Sequence, residues 1–157
     1  GISRQLDISN QIARTYIDHY FARYQGVRRF MDQTIADARK TRRTSTLLGR
    51  IRLLPDIESK NAMVRQAAER TAINTPLHGS AADLIKLAMI NVDQALIEKK
   101  LASAMLLTGH DELVFEVPPD ELDDVTALVK QIMEGVWELV VPLKVNVAKG
   151  SNWDEAH

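Results

Sequence analysis

The feature that most constrains the fold is a helical apolar stripe followed by two short strand-like runs. Ser80, with Asp83 three residues on, is expected to open a capped helix to about residue 100. Met105–Leu107 and Leu113–Val117 then predict two strands joined by a short turn. A helix stripe has to be buried against a neighbouring element, so an α+β fold is expected. The stripe consists of Leu84, Ile85, Ala88, Met89, Val92 and Leu96.

Four further helices and a last strand are predicted from the same kind of pattern. Ser9 is expected to cap the first helix and Gly26 to break it. Pro76 and Gly79 are expected to end the third helix, and residues 41–59 to be a loop or short strands. The helices are predicted at about 9–24, 27–40, 61–73 and 120–139, and the strand at 143–147.

The composition excludes several classes of protein. The 157 residues include no cysteine, so disulfides and thiolate metal sites are excluded. No apolar run approaches the roughly 20 residues needed to cross a bilayer, so no membrane partner is expected. Hydrophobic residues make up 45% of the chain, which is enough to bury a core. These properties fit a protein of the reducing cytoplasm.

The near-neutral net charge conceals a strong asymmetry between the two halves. Residues 1–79 contain 14 Lys and Arg against 7 Asp and Glu, a net charge of +7. Residues 80–157 contain 6 against 14, a net charge of −8. The basic half holds a cluster that could neutralise phosphates, although a solvated charged face is the alternative. This cluster consists of Arg39, Lys40, Arg42, Arg43, Arg50 and Arg52.

The triplet His110-Asp111-Glu112 lies at the predicted turn between the two strands. Carboxylate oxygens are hard ligands suited to Mg²⁺. Two-metal phosphoryl transfer requires carboxylates that bridge ions about 3.5–4 Å apart. The alternative is that polar residues gather at a turn because turns are exposed. The pattern by itself leaves both interpretations open.

A second group of polar residues lies along the third predicted helix. Arg70 and Asn74 are four residues apart and therefore share a helix face. Both side chains can make bidentate contacts with base edges, and Arg can also hold phosphate. Arg65 and His78 extend the same run. The alternative is an exposed face on which Glu69 pairs with Arg65.

Six segments in chain order share the pattern of one family. They read YFARYQGV at 20–27, LGRIRLLPDI at 48–57, AERTAIN at 68–74, PLHGSAADLIK at 76–86, HDELVFE at 110–116 and NWDEAH at 152–157. Together they make the chain similar, over nearly its whole length, to the C-terminal part of the bacterial DNA polymerase I family, family A of the DNA polymerases.

The resemblance implies a fold and a function. Residues 1–79 would be the later part of the helical fingers. Residues 80–157 would be the later part of the palm, with an antiparallel hairpin, a helix and a further strand. The parent would be a DNA-directed DNA polymerase, a nucleotidyltransferase of replication and repair. Its partners would be primer-template DNA and dNTP, its cofactor Mg²⁺, its state monomeric, and its location the bacterial cytoplasm at the nucleoid.

The resemblance also implies roles for individual residues. Asp111 would be a catalytic Mg²⁺ ligand, with Glu112 as an auxiliary catalytic carboxylate. His110 would contact the primer end, and Arg65 a template phosphate. The nascent duplex would be contacted on its minor-groove side by Arg70, Asn74 and His78.

The chain departs from the family pattern at several positions. His78 stands where the family usually has Gln, Thr108-Gly109 where it has Gln-Val, and Gln25 where it has Pro. No segment resembles the family's DYSQIE strand, which carries the other catalytic Asp, or its RxxxKxxxFGxxYG helix. We therefore expect this chain to be catalytically silent alone. A non-enzymatic DNA-binding module and a palm-like interaction domain remain the alternatives.

Overall fold

The computed structural model describes residues 6–109 and 112–156 as helices with two short antiparallel hairpins, in agreement with the α+β prediction. In chain order the elements are α1 (Asn10–Arg23), α2 (Gln25–Thr41), β1 (Arg43–Ser45), β2 (Ile51–Leu53), a 3-10 helix (Pro55–Glu58), α3 (Ala62–Asn74), a π-helix (Thr75–Gly79), α4 (Ser80–Glu98), β3 (Ala104–Gly109), β4 (Glu112–Glu116) and α5 (Leu122–Glu134).

The chain divides into two units, Gly1–Leu77 and His78–His157. This division lies close to the boundary expected after residue 79. The assignment of the two units to fingers and palm stays a prediction. None of the helices in the described parts of the chain is long and apolar enough to cross a membrane.

The first helix begins as its sequence predicts. The Ser9 hydroxyl accepts a hydrogen bond from the Ile12 amide at 3.2 Å, which caps the exposed amides of the first turn of α1. The predicted break at Gly26 is wrong by two residues. Tyr24 separates the helices with φ −108° and ψ 60°, and Gly26 lies in the first turn of α2. The non-helical backbone of Tyr24 makes the break without the help of the glycine.

The core of the first unit joins α2, α3 and the 3-10 helix. Ile57 is fully buried, and burying an isoleucine side chain contributes roughly 1.5–3 kcal/mol. The alanines of this core have side chains small enough to let the helix backbones approach closely. The core residues are Ala38, Leu54, Ile57, Ala68 and Ala72.

Helix α3 ends at Asn74, close to the predicted end at residue 73, but Pro76 and Gly79 do not interrupt the helical path of the chain. Both lie within the π-helix that follows α3 directly. A proline in an α-helix removes an amide donor, and its ring clashes with the carbonyl of the residue four positions back. The chain changes from the α to the π pattern at Thr75, directly before this proline, which agrees with the disturbance that a proline causes. The predicted cap at Ser80 is also wrong, because Gly79 is already helical with φ −66° and makes no side-chain cap.

The core of the second unit lies between α4 and α5. Val92 is fully buried at its centre, together with Leu96, Val125 and Val129. The stripe predicted for α4 therefore supplies half of this core. Partly buried apolar side chains surround it, among them Phe115 of β4 and Val117 just beyond it. This packing attaches the β3–β4 hairpin to the two helices.

The end of the second unit differs from its prediction. Helix α5 ends at Glu134 with Gly135 as its cap, five residues before the expected end at Leu139. Residues 143–147, predicted as a further strand, form no regular element. Each described hairpin has two strands, and residues 143–147 pair with neither of them. Instead the Val145 amide donates to Glu134 Oε1 at 3.0 Å.

Candidate nucleic-acid interface and carboxylate turn

Helix α3 separates its core residues from its candidate DNA contacts. Ala68 and Ala72 are buried, whereas Arg70 and Asn74 are exposed. Each exposed residue lies two positions beyond a buried one. Since successive residues turn about 100° around the axis, the two polar side chains occupy the side opposite the core. The shared face predicted for Arg70 and Asn74 is therefore directed to solvent.

The alternative of a pair between Glu69 and Arg65 is wrong. Glu69 accepts a hydrogen bond from Arg39 of α2 at 2.6 Å, which joins the two helices. Arg65 is half-buried, and its Nη1 donates to the Ser59 carbonyl at 2.8 Å. The guanidinium of Arg65 is thus oriented by the backbone before any ligand is present.

The basic cluster of the first unit divides into two groups. Arg39 and Arg42 form ion pairs with Glu69 and Glu58, respectively. The other four residues are exposed: Lys40, Arg43, Arg50 and Arg52. The last three of these belong to the β1–β2 hairpin or its turn. Part of the cluster therefore stabilises the fold, and the rest gives the hairpin a positive surface.

His78 belongs to the π-helix and its side chain is exposed. It lies in the second unit by the division of the chain. Its exposure is compatible with the predicted DNA contact and does not test it.

Asp111, on which the catalytic prediction depends most, and His110, the predicted contact to the primer end, lie outside the described residues. Glu112 is described as the exposed first residue of β4, paired with Gly109. Side chains alternate between the faces of a strand. Since Phe115 packs against the helices, Glu112 is directed to the opposite face of the hairpin.

The described residues do not complete a metal site by themselves. Within 6–109 and 112–156, no three His, Asp or Glu side chains come together in a way that could hold a metal ion. Glu112 has the hard oxygen donors that Mg²⁺ prefers, but it is a single carboxylate. Further carboxylates would have to complete the ligand set.

Sequence reasoning missed a carboxylate clamp at the base of the hairpin. Glu121 accepts from the Ser103 hydroxyl at 2.5 Å, the Ser103 amide at 2.9 Å and the Ala102 amide at 2.8 Å. The hydroxyl bond of Ser103, followed by the amide bond of Ala102, lowers the pKa of Glu121. The available signal was an acidic residue in the first turn of the predicted helix 120–139, but its partners lie 18 and 19 residues away.

Comparison with known proteins gives matches over nearly the whole chain. The family model described as DNA polymerase family A matches residues 1–155. The chain is 53% identical over 156 residues to DNA polymerase I of Mycobacterium tuberculosis (strain ATCC 25618 / H37Rv). It is 48% identical over 156 residues to DNA polymerase I of Lactococcus lactis subsp. cremoris (strain MG1363). The alignments cover 99% of this chain but only 17% and 18% of those proteins.

A solved structure is similar in both fold and sequence. It is the POL domain of Pol1 from M. smegmatis, in complex with DNA primer-template and dNTP. The TM-score is 0.96 at 48% sequence identity, and the match covers 99% of this chain and 28% of that chain.

Proposed function

Because the chain belongs to DNA polymerase family A, we propose that it is part of a DNA-directed DNA polymerase of the polymerase I type. The whole enzyme would extend a primer with dNTPs in replication and repair, as a monomer in the bacterial cytoplasm at the nucleoid. The observation that carries this proposal is the 53% identity, over 99% of the chain, to a DNA polymerase I.

The proposed DNA contacts follow from exposure, charge and family resemblance. Arg70 and Asn74 are exposed on the side of α3 that faces away from the core of the first unit, so their side chains are accessible to a duplex. We assign them, with His78, to the minor-groove side of the nascent duplex. Minor-groove acceptors are similar in every correct base pair, so contacts there test pairing without reading sequence. Arg65 is assigned to a template phosphate, and His110 to the primer end.

Asp111 is the proposed Mg²⁺ ligand of this chain, with Glu112 as an auxiliary carboxylate. Two Mg²⁺ ions would activate the primer 3′-hydroxyl and stabilise the charge of the leaving pyrophosphate. The role of the chain is to present carboxylate oxygens at the end of a hairpin that is packed against α4 and α5. The direction of Glu112 away from the helices agrees with this role.

The 157 residues alone are proposed to be inactive. Asp111 by itself does not supply enough ligand oxygens to hold two Mg²⁺ ions in the required geometry. No segment of the sequence resembles the family's DYSQIE strand, which carries the other catalytic Asp. Mg²⁺-dependent primer extension by the purified chain would contradict this part of the proposal.

The metal role is tested with Asp111→Asn in the full-length polymerase. We expect primer extension to be abolished while primer-template binding survives, because the variant removes one charged ligand oxygen and little volume. Glu116→Gln is the matched control, since Glu116 is exposed on the same face of β4 as Glu112. Retained activity in Asp111→Asn would refute the assignment.

A further inference from the structure

The base of the β3–β4 hairpin is held in two ways. The Glu121 carboxylate accepts three hydrogen bonds from Ala102 and Ser103, directly before β3 begins. On the other strand, Phe115 and Val117 pack against the core between α4 and α5. The lower half of the hairpin therefore has a defined direction relative to its helices.

The pairing of the two strands is interrupted above this base. Met105 pairs with Phe115 and Leu107 pairs with Val114, so Leu106 is an extra residue without a partner position. The regular pairing then resumes and continues to Gly109 and Glu112. This arrangement is a β-bulge, which bends its strand and increases the local twist.

The bulge changes the side-chain alternation along β3. Paired residues lie on the same face of a hairpin. Met105 therefore shares the helix-facing side of Phe115, whereas Leu107 shares the outer face of Val114 and Glu112. In a regular strand, residues 105 and 107 would lie on one face. Leu106 itself is 57% exposed, so its side chain is not required by the core.

We propose that the bulge at Leu106, acting on the base clamped by Glu121, is a positioning device for the carboxylate end of the hairpin. The fixed base and the bend together set the direction in which Glu112, at the start of β4, is presented. This inference rests on the proposed function. Leu106 and Glu121 are positioning residues, because they act through the strands and do not touch the reacting atoms.

Deletion of Leu106 in the full-length polymerase tests the proposal, because it removes the bend but leaves all five strand pairs available. A displacement of about 1 Å at reacting groups costs on the order of 100-fold in rate. We expect kcat for primer extension to fall roughly 10–100-fold. The half-saturating Mg²⁺ concentration should rise about tenfold, because changing the groups that orient a metal ligand weakens metal binding by about that factor.

Two measurements separate positioning from a general loss of structure. Primer-template affinity and the melting temperature should remain close to those of the unmodified enzyme. Leu106→Ala is the matched control, since it keeps the bulge and removes only an exposed side chain. A folded deletion variant with unchanged kcat and Mg²⁺ dependence would overturn the proposal.

Glu121 provides a second test if the deletion variant fails to fold. Glu121→Ala removes the clamp and should raise the half-saturating Mg²⁺ concentration, whereas Glu121→Asp should partly restore it. An unchanged Mg²⁺ dependence in Glu121→Ala would contradict the inference. Asp111→Asn distinguishes a failure of the proposed metal role from a failure of the positioning role. If Asp111→Asn is inactive while the bulge and clamp variants are fully active, only the positioning role fails.

Discussion

The hydroxyl of Thr44 donates a hydrogen bond at 3.3 Å to the carbonyl of Ala72. In an uninterrupted α-helix, the amide of residue 76 would donate to that carbonyl. Residue 76 is proline and has no amide hydrogen. The hydroxyl of Thr44, in the β1–β2 hairpin, thus donates to the Ala72 carbonyl, to which residue 76 has no amide hydrogen to donate. The bond links the basic hairpin to the helix that carries Arg70 and Asn74.

Thr44→Val should loosen the hairpin against α3. Valine keeps the shape of threonine but leaves the buried carbonyl without this donor, at a cost of roughly 1 kcal/mol. We expect hydrogen exchange of amides in 43–53 to accelerate about fivefold, which corresponds to that free energy. Thr44→Ser keeps the hydroxyl and is the control. Equal exchange in the Val and Ser variants would rule out the contribution of the bond.

Arg70→Glu should weaken primer-template binding and flatten its dependence on salt. Each neutralised phosphate contributes a slope of about −0.9 in log K against log salt concentration, so removing the Arg70 charge from the minor groove, which lies between two rows of phosphates, reduces the slope by up to about one. Lys99→Glu changes the net charge equally at an exposed position outside α3 and is the matched control. If the two variants have the same slope as the unmodified enzyme, Arg70 does not contact DNA through its charge.

The hydrogen bonds that Glu121 accepts from Ala102 and Ser103 should weaken when the pH is lowered. These hydrogen bonds lower the pKa of Glu121 below the ordinary value of 4.5, because they stabilise the ionised carboxylate. This contribution to stability is therefore present above pH 4.5 and is lost as the pH falls through the lowered pKa. We expect amide exchange of 102–103, corrected for its intrinsic pH dependence, to accelerate below pH 4.5. In Glu121→Gln, the amides of 102–103 should exchange rapidly at all pH values and should show no such transition.

Gly150→Ala should open the turn at the end of the described chain. A Cβ at this position would lie 2.7 Å from Glu155 Cβ and 2.8 Å from the Ala156 amide nitrogen. These contacts would displace Glu155 from its hydrogen bonds to Ser151, at a cost of about 1–3 kcal/mol. Fluorescence of Trp153 in a Trp137→Phe background would report the change.

Gly26→Ala is the control for this experiment. A Cβ there meets nothing within 4 Å, and alanine is favoured over glycine inside a helix by roughly 0.5–1 kcal/mol. This variant should leave the fluorescence of Trp153 unchanged. An unchanged spectrum in Gly150→Ala as well would mean that the turn accommodates the methyl group.

The sequence by itself determined the elements whose signals are local. The Ser9 cap, the stripe of α4 and the two apolar runs of the hairpin each depend on neighbouring residues, and the structure contains all three. The family could also be identified from the sequence, because its six motifs are short, ordered segments. The role of Asp111, which lies outside the described residues, stays a prediction.

Only the tertiary structure decided the features that depend on distant partners. Pro76 lies within a π-helix and does not interrupt the helical path, and Thr44, 28 residues from Ala72, donates to its carbonyl. Residues 143–147 form no strand, and they pair with neither described hairpin, although their sequence has the apolar pattern of a strand. The Leu106 bulge exists only in the register between two strands. Propensity and periodicity describe neighbours along the chain, whereas these features depend on which backbone groups meet in space.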